Sequence, residues 1–257
     1  IVDKTNPDRR TIILSATLPK FVLKVAKSYL TNPIELDKAS DTSEKPNIDQ
    51  TYYKVNKINK IKLLTRVIDS LDGFYGFVFC NTKCEVDQLA EKLISLGYSS
   101  ESMHGDLSQA QRTRALAKFK SKQCDILVVT DVAARGIDIK NISHVINFSV
   151  PQNIDVYTHR IGRTGRAGQS GTAITFVRDS EFYKFKKIIR MQKNAITKKE
   201  IPNATDILKQ KRIKLLENVQ SAEVKKHHFE LAEQLLAEND AKHVVSSLLK
   251  LRCSDLF

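Results

Sequence analysis

The sequence predicts an α/β fold in which helices cover both faces of a parallel sheet. Short apolar segments alternate along residues 50–177 with longer segments whose apolar residues recur at helical spacing. This alternation is typical of parallel sheets, because each crossover helix returns the chain to the same edge. The segment Phe77–Cys80 is apolar throughout, which indicates a strand buried on both sides, whereas Gln50–Val55 alternates between apolar and polar residues. With 41% hydrophobic residues, the 257-residue chain can form such a core.

Strands and helices are predicted in order along this region. The strands are Gln50–Val55, Phe77–Cys80, Ser99–Met103, Asp125–Thr130, His144–Phe148 and Gly171–Val177, and the helices are Lys57–Leu71, a helix ending at Leu96, and Ser108–Phe119. In the first helix, Ile61, Leu64 and Val67 share one face, as packing on a sheet requires. The second helix has Asn81 and Thr82 as caps before it and Gly97 after it.

Residues before 50 follow a shorter pattern. Thr11–Ser15 and Ile34–Leu36 are predicted as strands, and a helix is predicted from Pro19, which suits a first helical turn, to Tyr29. Residues 39–48 are mostly polar, as is typical of a linker. The region 49–183 is interpreted as one α/β domain.

The end of the sequence has a different character. Residues 184–214, interpreted as a basic extension, hold 11 Lys or Arg against 2 Asp or Glu. They would either bind a polyanion or form a solvated linker helix. Residues 222–251 predict two amphipathic helices separated at Asn239 and Asp240. The apolar stripes are Phe229, Ala232, Leu235 and Leu236 in one helix and Val244, Val245, Leu248 and Leu249 in the other.

Charge and composition narrow the classes of function. The net charge of +13 favours a polyanionic partner. The four cysteines form no C-x-x-C pair, so we expect neither a zinc ribbon nor a thioredoxin-type site. We expect instead a cytoplasmic protein whose cysteines are reduced. No apolar run approaches the roughly 20 residues of a membrane span. No metal site is predicted, since core or surface roles suit the histidines better.

The strongest candidate site lies in Tyr157–Gly168, where His159, Arg160, Arg163 and Arg166 are interleaved with glycines. Glycine lets the backbone approach a ligand closely, and the planar guanidinium matches phosphate oxygens. Arg163 and Arg166 are three residues apart, so we expect one helical turn to present both on the same side. The alternative is a solvated basic loop.

Three further segments follow predicted strands, and working residues of α/β sheets lie where strands end. They contain Asn81 and Thr82; Gly105, Gln109 and Arg112; and Thr130, Asp131, Arg135, Gly136 and Asp138. We expect the Tyr157–Gly168 segment to leave a strand in the same way. Taken singly, each of the three could be an ordinary helix cap or turn.

Together these segments resemble the second RecA-like domain of DEAD-box RNA helicases. The resembling motifs are Ser15-Ala16-Thr17 (third), Phe79–Thr82 (fourth), Gln109 and Arg112 (Q-x-x-R), Thr130–Asp138 (fifth) and His159–Arg166 (sixth). The resemblance implies that residues 1–38 are the last strand and helix of a first RecA-like domain. Alone, this remnant would expose apolar residues such as Ile12, so we expect it to be poorly anchored.

The resemblance also implies roles for the candidate residues. Arg163 and Arg166 would be arginine fingers on the γ-phosphate of ATP, Asp138 and Gly136 would contact ATP, and catalytic His159 and Arg160 would link this site to RNA. Ser15, Ala16 and Thr17 would couple the binding and hydrolysis of ATP to the strength of RNA binding. The residues implied to bind RNA are Asn81, Thr82, Gly105, Gln109, Arg112, Thr130, Asp131, Arg135 and Gly136.

The sequence has no P-loop, because no glycine precedes a lysine, and no Asp-Glu-Ala-Asp. We therefore expect Mg²⁺ to be held mainly by the first domain, and this chain alone to be inactive. Residues 215–257 resemble the dimerisation segment of bacterial cold-shock-type DEAD-box helicases; the alternative is packing on their own domain. Two rival functions remain: a non-catalytic RNA-binding or dimerising module, and a DNA helicase or translocase of the same superfamily.

Overall fold

The computed structural model describes residues 5–6, 9–13, 20–30, 32–36, 47–55, 59–71, 73–137, 139, 141–166, 168–192 and 194–252. Within them, one sheet has the strand order β3-β4-β2-β5-β6-β1-β7 with every neighbouring pair parallel. The strands are β1 (Ile48–Lys54), β2 (Gly76–Phe79), β3 (Ser100–Met103), β4 (Ile126–Val129), β5 (His144–Asn147), β6 (Gly171–Val177) and β7 (Thr197–Lys198).

The helices are α1 (Lys20–Tyr29), α2 (Lys60–Asp69), α3 (Lys83–Ser95), α4 (Gln109–Lys120), α5 (Asp131–Ala134), α6 (Ile154–Ile161), α7 (Asp179–Met191), α8 (Ala204–Ser221), α9 (Lys226–Glu238) and α10 (Ala241–Arg252). The predicted fold class, a doubly wound parallel sheet followed by a helical segment, is confirmed. The six predicted strands are all present within one or two residues of their expected bounds.

Side chains alternate between the two faces of the sheet and build a core on each. In β2, Val78 packs with α2 and α3 on one face, whereas Phe77 and Phe79 pack with Phe119 of α4 on the other. All four residues of β2 are buried, which explains why the strand has no polar face. A third cluster joins α6 and α7 to β6.

Caps fix where the helices start. The Thr82 hydroxyl accepts a hydrogen bond from the Glu85 amide (3.2 Å) at the start of α3. Ser108 and Gln111 form a reciprocal capping box at the start of α4. Gly97 follows α3 with φ +86°, a conformation that glycine adopts without strain. Both helix starts are thereby held at the edge of the sheet where strands end, called here the carboxyl edge.

Two of the expected strands are wrong where the structure describes them. Residues 11–13 and 34–36 are irregular, and Ile12, Ile34 and Leu36 are 79%, 87% and 87% exposed. An isolated strand needs a hydrogen-bonded neighbour, and the sheet described above does not include either segment. Residues 14–19 and 37–46 lie outside the described residues. The first-domain remnant (1–38) and the linker (39–48) therefore remain predictions.

The last three helices differ from the sheet region in burial. The start of α8 is anchored, because Ile207 is buried and Ile201 packs against the core that contains α2. In contrast, α9 has no buried residue. The break between α9 and α10 at Asn239 and Asp240 is as predicted, and both apolar stripes include exposed side chains such as Phe229 (58%) and Leu248 (50%).

Candidate functional site

The carboxyl edge gathers residues from three separate candidate segments. Thr82, Gly105 and Thr130 follow β2, β3 and β4, and these strands are neighbours in the order β3-β4-β2. Thr82 and Gly105 are exposed, whereas Thr130 is 8% exposed and its amide donates to the Met103 carbonyl (3.3 Å). Segments that are far apart in sequence therefore form one continuous surface.

Arg160 is the centre of a buried network at this edge. It is 1% exposed although arginine is rarely buried. Its guanidinium forms a fork with the Asp131 carboxylate, with Nε to Oδ1 at 2.6 Å and Nη2 to Oδ2 at 2.9 Å. It also donates to the Asn147 amide oxygen (3.2 Å), the Ser149 carbonyl (2.8 Å) and the Asn81 amide oxygen (3.0 Å).

These bonds use all five N–H donors of the arginine. Arg160 therefore has no donor left for a phosphate or a base in this structure. The implied catalytic role of Arg160, to link the ATP site to the third motif and to RNA, stays a prediction, and these bonds favour a positioning role within it. It holds Asn81 and Asp131, which end the loops after β2 and β4, in fixed orientations.

A second group of polar residues, which the sequence motifs did not predict, extends this network. Lys60 is 7% exposed and donates to the Phe148 carbonyl (2.9 Å) and to Glu181 (3.3 Å). The Glu85 carboxylate accepts hydrogen bonds from the Ser149 hydroxyl at 2.7–2.8 Å and from the backbone N–H of Asn81 at 3.1 Å. The available signal was a polar residue directly after an apolar strand, as Ser149 is.

The start of α4 presents the next group of candidates. Gly105 and Gln109 are exposed, and Arg112 is half-buried. Arg112 donates from Nη2 to the Ala133 carbonyl (3.4 Å), which ties α4 to α5. Its buried Nε has no hydrogen-bond partner among the described residues. Arg112 is therefore only partly satisfied by the protein, and a guanidinium of this kind suits an anion.

Arg163 and Arg166 lie at the opposite edge of the sheet, where strands begin. Thr164 donates to the carbonyls of Ile142 and Ser143, which precede β5, and the Gly171 amide donates to the Asn47 carbonyl before β1. The expectation that the segment Tyr157–Gly168 leaves a strand is wrong, because the segment begins inside α6 and leads towards the start of β6. This edge is called here the amino edge.

The two arginines also lie beyond the helix rather than on a helical turn. Helix α6 ends at Ile161, and Gly165 has φ +64°, so the chain turns between them. Arg163 is half-buried and donates to the Ile137 carbonyl (2.9 Å), and exposed Arg166 donates from Nε to the Gly162 carbonyl (2.7 Å). The expected common helical face is corrected to a tight glycine turn that carries both.

The remaining candidates surround this turn or lie outside the described residues. Arg135 and Gly136 are exposed in the loop after α5, with Gly136 at φ +71°, and His159 is exposed on α6. Through the Arg163–Ile137 hydrogen bond, this loop is fixed against the arginine turn. Asp138, Ser15, Ala16 and Thr17 are not among the residues that the structure describes.

Comparisons with known proteins show the family of this chain. Residues 59–168 match the family model of the helicase conserved C-terminal domain. The E. coli DEAD-box protein SrmB, solved bound to the regulator of ribonuclease activity A, is 34% identical with a TM-score of 0.59. That match covers 63% of this chain and 95% of the SrmB chain. The chain belongs to the DEAD-box helicase family.

Other relatives locate the match within longer DEAD-box proteins. The DEAD-box ATP-dependent RNA helicase CshA of Geobacillus kaustophilus is 40% identical over 254 residues, which are 98% of this chain and 54% of CshA. Dbp5 of S. cerevisiae, solved with RNA and ADP BeF3, is 31% identical with a TM-score of 0.67, covering 75% of this chain and 52% of Dbp5. The chain is thus a DEAD-box C-terminal domain and spans about half the length of the curated relatives it matches.

Two further properties concern the described part of this DEAD-box domain. Its residues contain no group of three or more His, Cys, Asp or Glu side chains that could hold a metal ion. None of its helices combines the length and the apolar character that a membrane crossing requires.

Burial raises the pKa of the Cys124 thiol to about 12 and raises the pKa of the Cys80 thiol as well. Both cysteines are therefore inert core residues.

Proposed function

We propose that this chain is the C-terminal half of an ATP-dependent RNA helicase, which binds the RNA backbone and supplies arginines for the ATP hydrolysis that drives local duplex unwinding. The observation that carries the proposal is the division of candidates between two edges of one sheet. Thr82, Gly105 and Arg112 lie at the carboxyl edge, and Arg163 and Arg166 at the amino edge. Relatives named as ATP-dependent RNA helicases or solved with RNA and ADP BeF3 support both ligands.

At the carboxyl edge we propose contacts to the RNA sugar–phosphate backbone. Exposed amides at the starts of α3 and α4 and the guanidinium of Arg112 suit phosphate oxygens. The proposed contact residues at this edge are Asn81, Thr82, Gly105, Gln109, Arg112, Thr130 and Asp131, and Arg135 and Gly136 would add contacts from the loop after α5. Backbone contacts carry no sequence information, so binding is sequence-independent and falls with salt. Contacts to the 2′-hydroxyl would favour RNA over DNA.

At the amino edge we propose that Arg163 and Arg166 contact the γ-phosphate of ATP. Each side chain donates to a backbone carbonyl, Arg163 from Nη1 to Ile137 and Arg166 from Nε to Gly162, and both are at least partly exposed. A guanidinium so held stabilises negative charge on the phosphoryl group in the transition state. His159 on α6 would transmit the state of this site towards Asp131 and the RNA surface, with Arg160 as the positioning residue between them.

ATP would bind between this domain and a first RecA-like domain. Bound Mg²⁺ neutralises charge on the β- and γ-phosphates, and we propose that the first domain holds it, since the described residues of this chain offer no ligand cluster. Asp138 and Gly136 would contact ATP from this side, and Ser15, Ala16 and Thr17 would couple the binding and hydrolysis of ATP to the strength of RNA binding.

The proposal is tested by RNA-stimulated ATP hydrolysis. The chain would be assayed alone and joined to a first RecA-like domain that carries a P-loop, a protein termed here the complete helicase. We expect no turnover by the chain alone and turnover by the complete helicase. Arg163→Ala and Arg166→Ala should each lower kcat by about 10³-fold or more, while RNA affinity without nucleotide stays unchanged.

Arg66→Ala serves as the matched control, because Arg66 is a half-buried arginine on α2 outside every proposed contact. It should leave kcat within about twofold. A complete helicase that binds RNA but never hydrolyses ATP would favour the alternative, a non-catalytic RNA-binding or dimerising module. Equal affinity for single-stranded RNA and DNA of one sequence would instead favour a DNA helicase or translocase.

We also propose roles for the end of the chain. The basic extension 184–214 would strengthen RNA binding through electrostatic attraction. Residues 215–257 would form a homodimer through the exposed apolar stripes of α9 and α10. An exposed apolar surface of this kind is typical of an interface. Leu235→Glu should convert a dimer to a monomer in sedimentation equilibrium; a protein that is monomeric without the substitution would refute the dimer. We propose a cytoplasmic location.

A further inference from the structure

The segment 104–108 joins β3 to α4 and carries Gly105 across the carboxyl edge. Helix α3 packs on one face of the sheet and α4 on the other. The proposed RNA contacts are therefore divided between Thr82, at the start of α3, and Gly105, Gln109 and Arg112, around the start of α4. A single RNA strand can contact both groups only if their spacing is fixed.

His104 fixes the segment against α3. Its side chain is 7% exposed, and its Nε2 lies 2.9 Å from Oδ1 of Asp87 on α3. Its Nδ1 accepts a hydrogen bond from the Asp106 amide at 3.3 Å. Because Nδ1 is an acceptor, the proton of the neutral ring lies on Nε2 and is donated to Asp87. One ring thus binds the helix on one side and the turn on the other.

A second contact between the same elements is weaker. Lys83 of α3 pairs with Asp106, but these side chains are 53% and 64% exposed, and exposed ion pairs contribute little. A Cβ atom at Gly105 would lie 3.7 Å from Lys83 Cε, so the turn passes directly over α3. The buried ring of His104 is therefore the contact that determines where the turn lies.

We propose that His104, held by Asp87, is a positioning residue for RNA binding. It keeps Gly105 and the start of α4 at the spacing from Thr82 that one RNA backbone requires. The proposal rests on the proposed function, in which these residues contact RNA. His104 itself touches no RNA, because both of its ring nitrogens are occupied within the protein.

The test uses Asp87, whose side chain is 45% exposed, so its replacement should not prevent folding. In the complete helicase, Asp87→Ala should raise the KM for RNA about tenfold and leave kcat unchanged. Asp87→Asn retains an acceptor for Nε2–H and should restore the KM. His104→Ala should give the same rise as Asp87→Ala, provided that its thermal melting remains cooperative.

Glu91→Ala is the matched control, because Glu91 is an exposed carboxylate one turn farther along α3. Loss of a negative charge alone tightens RNA binding, so Glu91→Ala should lower the KM or leave it unchanged. The proposal is overturned if Asp87→Ala behaves like Glu91→Ala, or if Asp87→Asn is as impaired as Asp87→Ala.

The outcome for Arg112→Ala separates this proposal from the proposed function. If Arg112→Ala raises the KM for RNA and Asp87→Ala does not, RNA binds this edge but His104 does not position the contacts. If neither Arg112→Ala nor Thr82→Ala changes the KM, the proposed RNA surface is itself wrong.

Discussion

The two edges of the sheet are held together by different kinds of interaction. At the carboxyl edge, charged side chains join the loops: Arg160 with Asp131, and Lys60 with Glu181. At the amino edge, the acceptors are neutral backbone carbonyls, as those of Ile142 and Ser143 are for the Thr164 hydroxyl. A buried charge that loses its partner is costly, whereas a lost neutral hydrogen bond costs much less. Removal of a bonding side chain should therefore lower the unfolding free energy more at the carboxyl edge than at the amino edge.

The same difference separates arginines within one motif. Arg160 is enclosed and fully bonded, whereas Arg163, three residues later, is half-buried with one nitrogen on the Ile137 carbonyl. The motif thus extends from one edge of the sheet to the other, with a buried arginine at the carboxyl edge and, at the amino edge, a half-buried arginine for which we propose a contact to ATP. Replacement of Arg160 should therefore lower stability most, whereas replacement of Arg163 should lower ATP hydrolysis with little loss of stability.

The largest effect on stability is expected for Arg160→Ala. Removing the guanidinium leaves the Asp131 carboxylate and the Asn147 amide oxygen without their donors, which should cost about 3–5 kcal/mol of unfolding free energy. Urea unfolding at neutral pH measures this loss. Arg163→Ala is the control and should cost less than about 1 kcal/mol. Equal losses for the two variants would contradict the proposed division of roles.

An intermediate effect is expected for Thr164→Val at the amino edge. Valine keeps the volume of the buried threonine but removes the hydroxyl that donates to the Ile142 and Ser143 carbonyls. The loss should be about 1–2 kcal/mol, again by urea unfolding. Thr158→Val, at an exposed position of α6, should change stability by less than about 0.5 kcal/mol. A Thr164→Val loss as large as that of Arg160→Ala would remove the difference between the edges.

The strands were predictable because their local signal is strong. An apolar run such as Phe77–Phe79 has no polar face, and a buried parallel strand is its simplest explanation. The two residues of β7, Thr197 and Lys198, are exposed and polar, and only their pairing with β1 makes them a strand. Residues 11–13 show the reverse, since their β-type sequence has no partner strand in the described sheet.

The edge of the sheet at which several candidate residues lie was predictable, whereas the burial of one of them was not. Loops after strands were expected to carry Thr82, Gly105 and Thr130, and parallel strands bring such loops to one edge. The burial of Arg160 was not predictable, because its partners lie 11 to 79 residues away in sequence. Only the strand order brings Asn81, Asp131 and Asn147 within reach of one guanidinium.

The smallest effect is expected from the titration of His144 at the amino edge. Its ring stacks on Phe74 with centroids 5.4 Å apart, and its Nδ1 lies 2.7 Å from the Ser143 hydroxyl. Burial lowers the pKa of His144 below its usual value of 6.5. Between these pKa values the unfolded chain binds a proton that the folded protein does not, so stability falls as the pH drops below about 6.5.

His144→Gln should therefore lose less stability than the unsubstituted protein between pH 7 and pH 5, as measured by the urea midpoint at each pH. The comparison isolates His144 from the other histidines, which titrate in both proteins. Identical pH profiles for the two proteins would show that proton uptake at His144 does not destabilise the amino edge.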